Sequence, residues 1–589
     1  MAATPKVPRA QRTALAVWLG LGALFSLAAY LGVNFLTAFF VNGATADMIA
    51  GPQPLPHLDL SYAHARAAAR GFWVGGFYAG LLLLGFSTAG CLAPERWARR
   101  RVSFEAWLAL GLLGWGITTA YVGERLPVNG GFGWDGSVYG NWTKDFYGLI
   151  AHSPVDVERL YKMLPSAILY HLMLLLHVPR TTETVVFAFQ LLNAAMMAAA
   201  AWMLLATLAV MKVSAPGRLT AFAAVFVNYA AAKYFFYYAT LPDCAGLFFG
   251  VAMLCCYLTR RFVALWATAL VGMLAWKQVF YGAALLYIFA EYRPPVAWRS
   301  VRAHALVPVA VIAGFVLLLS SLHLVGRYPH PLVTPISTLV ATATVGLSAW
   351  LCSQHRGHFD PKSYWTWTMA WRVATVVILY EAMAALINFI PHTPAVTTES
   401  LFVVTTVLRA IELPAVFVVG HLAFFGLGFA LILALFAPLA REMAEFDRGL
   451  MATLASAVFF GLDSESRHAM HVFPILAAFA VIALERRRAV TWTWALGFFG
   501  LSLVLSKFWV YQNSSATAAY VDQKYVLLDM LQYFLNFGPW IPPSYYAGYL
   551  LLMIVLVAAL KASIKALPLA SETNASRPEF GGETVGASE

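Results

Sequence analysis

The stretch GGFGWDGSVYGNWTKDF, residues 130–146, interrupts an otherwise apolar chain and carries Asp135 on a turn rich in glycine. Gly130, Gly131, Gly133 and Gly136 let the backbone bend and come close to a bound group. Phe132, Trp134, Tyr139, Trp142 and Phe146 surround the carboxylate with flat faces that serve either as an interfacial belt or as a stacking platform for a sugar ring. The chemistry open to Asp135 is that of a presented carboxylate, which means catalysis; the plain alternative is an ordinary Asp-Gly turn at a membrane edge.

Cations follow at spacings that matter. Arg159 and Lys162 are three apart, share a helix face just before Pro165, and suit a phosphate group or headgroup snorkelling equally. FGLDSESRHAMHVFP, residues 460–474, gathers Asp463, Glu465, Arg467, His468 and His471 at a turn between two apolar segments; it is either a solvated turn or the second wall of a polar cavity. Lys277 in LAWKQVFYG sits at another turn where a cation can meet an anionic headgroup or simply snorkel.

The elements that position these residues must be membrane helices. The chain has 589 residues, 61% of them hydrophobic, 15% aromatic and only 11% charged, with a mean hydropathy of +0.70. That balance excludes a soluble globular enzyme. Runs long enough for the roughly 20 residues that a bilayer demands recur from 14–40 to 544–563, and they predict an all-α polytopic bundle of about 14 to 16 spans. The net charge of +11 falls in short clusters between apolar runs, a topological signal and not a nucleic-acid footprint. The five cysteines form no CxxC pair and suit packing. Lys233, Arg372, Glu381, Arg409 and Glu412 lie inside apolar regions, must face protein or water, and read as structural charges.

Lys6, Arg9 and Arg12, then Arg96 to Arg101, Arg260 and Arg261, Arg293 to Arg302, Arg486 to Arg488, and Lys561 with Lys565 mark one side, the cytoplasmic one. The alternation holds if PSAILYHLMLLLHV, residues 165–178, lies on the outer interface instead of spanning. The expected organisation is then N-terminal spans over 1–123, an extracytoplasmic loop with an interfacial helix over 124–184, a helical core over 185–563, and a disordered cytoplasmic tail over 564–589. Both termini face the cytoplasm and the loop carrying Asp135 faces out.

With GWDGSVY followed by RLYKMLPSAI and an apolar interfacial segment, and with SESRHAMHVFP late in the chain, the sequence resembles the GT-C-fold membrane glycosyltransferases. The likeness is closest over about 50 residues of the first long loop. It implies a GT-C-like fold and a polyprenyl-phosphate-linked sugar as donor, a membrane lipid whose headgroup reaches an outward site where nucleotide sugars are absent. Asp135 would be the general base for an acceptor hydroxyl on a glycan, lipid or protein, and transfer would invert the anomeric carbon. Trp134 and Tyr139 would line the substrate, and Arg159, Lys162, Lys277, Arg467 and His468 would stabilise the leaving phosphate. Two spans and a proline-rich loop precede the motif here, no DxD pair accompanies Asp135, and no soluble C-terminal domain follows the last apolar run.

No metal and no cofactor are therefore expected, although Asp463 and Glu465 are possible ligands. The expected location is a bacterial inner membrane. A transporter or flippase for lipid-linked sugars, or a membrane scaffold, would share this composition; the first predicts charges near the midplane and paired halves of the fold.

Overall fold

A computed structural model describes residues 103–126, 128–152, 155–290, 314, 333–353, 366–393, 410, 413–508 and 543–570. The spans expected before residue 103 and over 304–325, the outer stretch 509–542, Arg409, Glu412 and the polar tail from 571 lie outside the described residues. What is described is almost entirely helical.

Among the described residues, four helices are long and apolar enough to cross a membrane. They are α5 (Thr182–Val210), α11 (Trp367–Asn388), α12 (Val416–Ala434) and α17 (Pro543–Ala566). A bent pair, in which α6 (Ala215–Phe226) meets Ala230–Tyr237 at 61°, makes up to five if its two halves form one span instead of a re-entrant loop. At that break Asn228 supplies what the backbone loses: its Nδ2 donates to the carbonyls of Ala224 and Val225, and its Oδ1 accepts from Ala231 N. The remaining apolar runs form further helices, including α1 (Phe104–Val122), α7 (Asp243–Leu258), α8 (Phe262–Met273), α9 (Gln278–Ile288), α10 (Val333–Ser353), α14 (Arg448–Phe460), α15 (Phe473–Glu485) and α16 (Trp492–Leu505). Of the 14 to 16 spans expected, four or five thus have the length and composition to cross alone among the described residues.

The packing separates protein-facing from lipid-facing helices. α5 lies between α1 and α7, and α6 between α12, α15 and α16. α12 is buried along most of its length and kinks at Gly426, whereas α11 leaves Trp367, Trp371, Val377 and Ile378 exposed. So much exposed apolar surface on long helices belongs against hydrocarbon, and the chain reads as a membrane protein.

The bundle has two unlike ends. At one, Arg218 pairs with Glu105 at 3.0 Å, Arg260 with Asp447 at 3.3 Å, Arg486 with Glu442, and Arg488 donates to Leu567 O at 3.0 Å. The described basic clusters gather there, where α1, α6, α8, α14 and α16 begin and α5, α7, α15 and α17 end. At the other end sit α2 (Gly136–Lys144), α3 (Phe146–His152), α4 (Leu164–Leu175) and the turn at 461–472. The 12 residues of α4 span about 18 Å, too short to cross, and α4 packs on α2 with Ile168, Leu172 and Leu175 exposed. Val155–Asp156 adds a short parallel pairing with His392–Thr393 at this end.

Candidate functional site

The Asp135 turn is docked onto the segment that follows the bent pair. Leu126 N donates to Tyr237 O at 2.9 Å, Thr240 Oγ1 to Phe132 O at 2.8 Å, and Gly136 N to the Tyr238 hydroxyl at 3.3 Å. Gly133 has φ +72°, and a Cβ there would meet the Tyr238 ring; one at Gly136 would meet Thr240. Glycine is needed at 133 for both conformation and space. Asp135 is the N-cap of α2, yet its carboxylate makes no capping bond. An Asp in that position ordinarily accepts from the helix's own amides. This one points to partners elsewhere.

Those partners are two arginines from distant segments. Arg159 Nη2 lies 3.4 Å from Asp135 Oδ1, and Arg467 Nη2 lies 3.7 Å from Oδ2. Asp135 is 47% exposed, so the carboxylate remains reachable. Arg159 is held on a short helical turn, Val157–Leu160, that Asp156 caps by accepting from Glu158 N at 2.7 Å. Arg467 is fixed by Glu465, whose Oε1 accepts from its Nε at 2.6 Å.

The turn at 461–472 is internally bonded. His468 Nδ1 and Asp463 Oδ2 are 2.6 Å apart, and Asp463 Oδ1 accepts from Glu465 N at 2.9 Å. Burial pushes the Glu465 carboxyl up, but Arg467 and His468 outweigh it and hold the group at about 2. Burial pulls the His468 imidazole down, and Asp463 and Glu465 more than reverse that, so it holds its proton above the ordinary histidine range. Burial pushes the His471 imidazole down to about 4. Below the turn, His421 of α12 contacts Ser466 Oγ and Gly461 O, each at 2.9 Å.

The other sequence-predicted residues divide. Lys162 stands 5.5 Å from the Trp276 ring, whose centroid is 6.2 Å from that of His468. Burial, then Arg467, lowers the pKa of the Lys162 amine. Lys277 is engaged otherwise: its Nζ donates to Glu158 at 2.8 Å and lies 4.6 Å from the Tyr161 ring. Trp134 is half-buried against Tyr238, with ring centroids 6.1 Å apart. Tyr139 is 3% exposed and packs on Trp142, so it offers no open stacking face. Phe132, Trp142 and Phe146 are also buried, which makes most of the aromatic patch a packing core under the turn.

Residues that sequence reasoning passed over also border the site. Glu158 takes up Lys277, Trp276 carries Lys162 and His468 on its flanks, and Asp243 opens α7 at 1% exposure. An acidic residue beginning an apolar run is costly in a membrane, and TLPDCAG carried that signal. Among the described residues no group of three His, Cys, Asp or Glu is placed to hold a metal ion. Cys244, Cys255 and Cys256 are free thiols. What the arrangement can do is bind an anion beside a reachable carboxylate: Arg159 and Arg467 each hold Asp135 loosely enough to exchange partners, since both separations exceed a good charge-assisted bond.

No known family, curated protein or solved structure matches the chain.

Proposed function

We propose that the chain is a GT-C-like membrane glycosyltransferase that moves a sugar from a polyprenyl-phosphate-linked donor to an acceptor hydroxyl on the outer side of a bacterial inner membrane, with both termini in the cytoplasm. The observation that carries this reading is the meeting of Asp135 with Arg159 and Arg467 at the end of the bundle opposite the basic clusters. A half-exposed carboxylate between two cations can take a proton from an acceptor once an anion has drawn the cations away.

The reading gives each residue a task. The donor phosphate enters beside Arg159 and Arg467, with Lys162 on the Trp276 side, and takes over their charge. Asp135, released, accepts the proton as the acceptor oxygen attacks the anomeric carbon, and the bond from that carbon to the phosphate oxygen breaks. Charge grows on the leaving phosphate in the transition state, where Arg467 and the protonated His468 stabilise it. A single displacement inverts configuration. Lys277, committed to Glu158, supports the Arg159 turn from behind. The acceptor is a glycan, lipid or protein hydroxyl.

A second reading is transport of a lipid-linked sugar or another amphiphile. The 61° break in the α6 pair and the buried Lys233–Glu124 pair favour it, because broken helices and buried charges mark transport paths. The test is purified protein in lipid given labelled polyprenyl-phosphate sugars and a panel of hydroxyl acceptors, with the anomeric configuration of the product determined. Inverted product supports transfer. Movement of intact donor between leaflets without product supports transport and removes the glycosyltransferase reading.

A further inference from the structure

Asp243 is the most anomalous polar group among the described residues. It is 1% exposed, and neither carboxylate oxygen has a hydrogen-bond partner. Buried carboxylates are normally paired or bonded, because an unmet oxygen forfeits its hydration with nothing in return. Two further buried polar atoms among the described residues are orphans too. The indole Nε1 of Trp276 and the hydroxyl of Tyr234, both residues 1% exposed, are likewise buried without partners.

Shared neighbours link the three to the site. Gly246, one turn along α7 from Asp243, packs so closely on Trp276 that a Cβ would lie 3.0 Å from the indole. Trp276 in turn flanks Lys162 and His468. Tyr234 belongs to the aromatic run Tyr234–Tyr238–Trp134 that leads from the Asp135 turn inward, with successive centroids 6.2 and 6.1 Å apart. Arg467, Lys162 and His468 are the cations that act most strongly on Asp243.

We propose that Asp243, with Trp276 and Tyr234, is the sugar-binding floor of the site, covered in this structure and uncovered as the donor enters, in which the two carboxylate oxygens accept hydrogen bonds from adjacent hydroxyls of the transferred sugar. This rests on the glycosyltransferase reading and deepens it. A polyhydroxylated ring both donates and accepts, which is what two bare acceptor oxygens, an indole N–H and a hydroxyl require together. A phosphate dianion has no hydrogen to donate to two bare acceptor oxygens and belongs with Lys162 and Arg467. A cationic sugar is disfavoured by the same three cations that surround the carboxylate. The division places the phosphate among the cations and the sugar ring over Asp243.

The experiment measures binding to the full chain in lipid nanodiscs of three probes: polyprenyl-phosphate hexoses and pentoses, bare polyprenyl phosphate, and methyl glycosides. Asp243→Asn and the near-isosteric Tyr234→Phe are compared with wild type. The expected result is a loss of about tenfold or more in affinity for the best sugar-bearing lipid, with bare polyprenyl phosphate bound within about twofold of wild type. If Asp243→Asn does not fold, Tyr234→Phe decides on the same criterion. Equal loss of both lipids, or no loss of either, overturns the proposal. Wild type that binds methyl glycosides in an Asp243-dependent way but no lipid-linked sugar leaves the floor standing and removes the donor assignment. Wild type that binds none of the sugars overturns the floor.

Discussion

Arg467 donates its Nε to Glu465 at 2.6 Å, and this contact fixes the guanidinium so that only an outer nitrogen reaches Asp135, at 3.7 Å. The strong bond sets the direction of the arginine; the loose one leaves its outer face free to exchange. Arg159 has no such anchor among the described residues and is 41% exposed. The two arginines that meet Asp135 therefore differ in what their loss does.

Arg159→Ala removes an exposed pair and shifts stability by no more than about 1 kcal/mol. Arg467→Ala strips Glu465 of its main counter-charge inside the turn and costs up to about 3 kcal/mol. Both variants weaken donor binding. Thermal unfolding in detergent, read beside donor affinity, separates the two: similar unfolding of both variants would contradict the anchored role of Arg467.

The turn at 461–472 sets a pH window. Glu465 has a folded pKa of about 2, depressed from an ordinary 4.5, so its contribution is present above 4.5 and is lost as pH falls toward 2. His468 has a raised folded pKa, so its contribution is complete below 6.5 and is lost as pH rises through the raised value. Protection from hydrogen exchange across 461–472, taken relative to the intrinsic rate at each pH, is greatest between those limits. Asp463→Asn removes the partner of His468 and moves the upper limit to lower pH; an unchanged upper limit would mean that Asp463 does not hold the imidazole's charge.

Gly133→Ala forces an L side chain into φ +72° and against Tyr238. The conformational cost is about 1–2 kcal/mol. Because the turn is fixed to Tyr238 and Thr240, the strain displaces Asp135, and transfer falls more than membrane insertion or folded yield. Turnover per folded molecule, obtained after size-exclusion purification, checks this. Normal turnover would show that the turn's docking is not needed to place the carboxylate.

Much of the site was legible in the sequence because its residues interrupt an apolar chain. Asp135 on its glycines, the pair Arg159 and Lys162, and the 460–474 cluster all stand out against hydrocarbon, and the basic runs mark the opposite end. Their mutual placement was less legible. Nothing local tells Lys277 to turn to Glu158, because the two meet only when α4 and α9 begin side by side, and Leu164 N donates to Leu274 O at 2.9 Å where they do. The aromatics read equally well as a belt or a platform, and burial under the turn made Phe132, Tyr139 and Trp142 neither.

Hydropathy marks the apolar runs without fixing which of them cross alone, for a physical reason. An apolar run records that water is excluded, whether by lipid or by neighbouring helices. α8 and α9 are apolar over 12 and 11 residues, about 18 and 17 Å, and protein covers part of each. The break at Asn228 was hidden inside a continuous apolar stretch because one side-chain amide replaces the missing backbone bonds.

The most direct test is single-turnover sugar transfer by Asp135→Asn at saturating polyprenyl-phosphate donor, with donor affinity measured on the same preparation. Asparagine keeps the shape of the side chain but loses its charge and one of its two acceptor oxygens, and it cannot accept the acceptor's proton. The account predicts a rate lower by about 10²- to 10⁴-fold with donor affinity unchanged or increased. Transfer at the wild-type rate would contradict it.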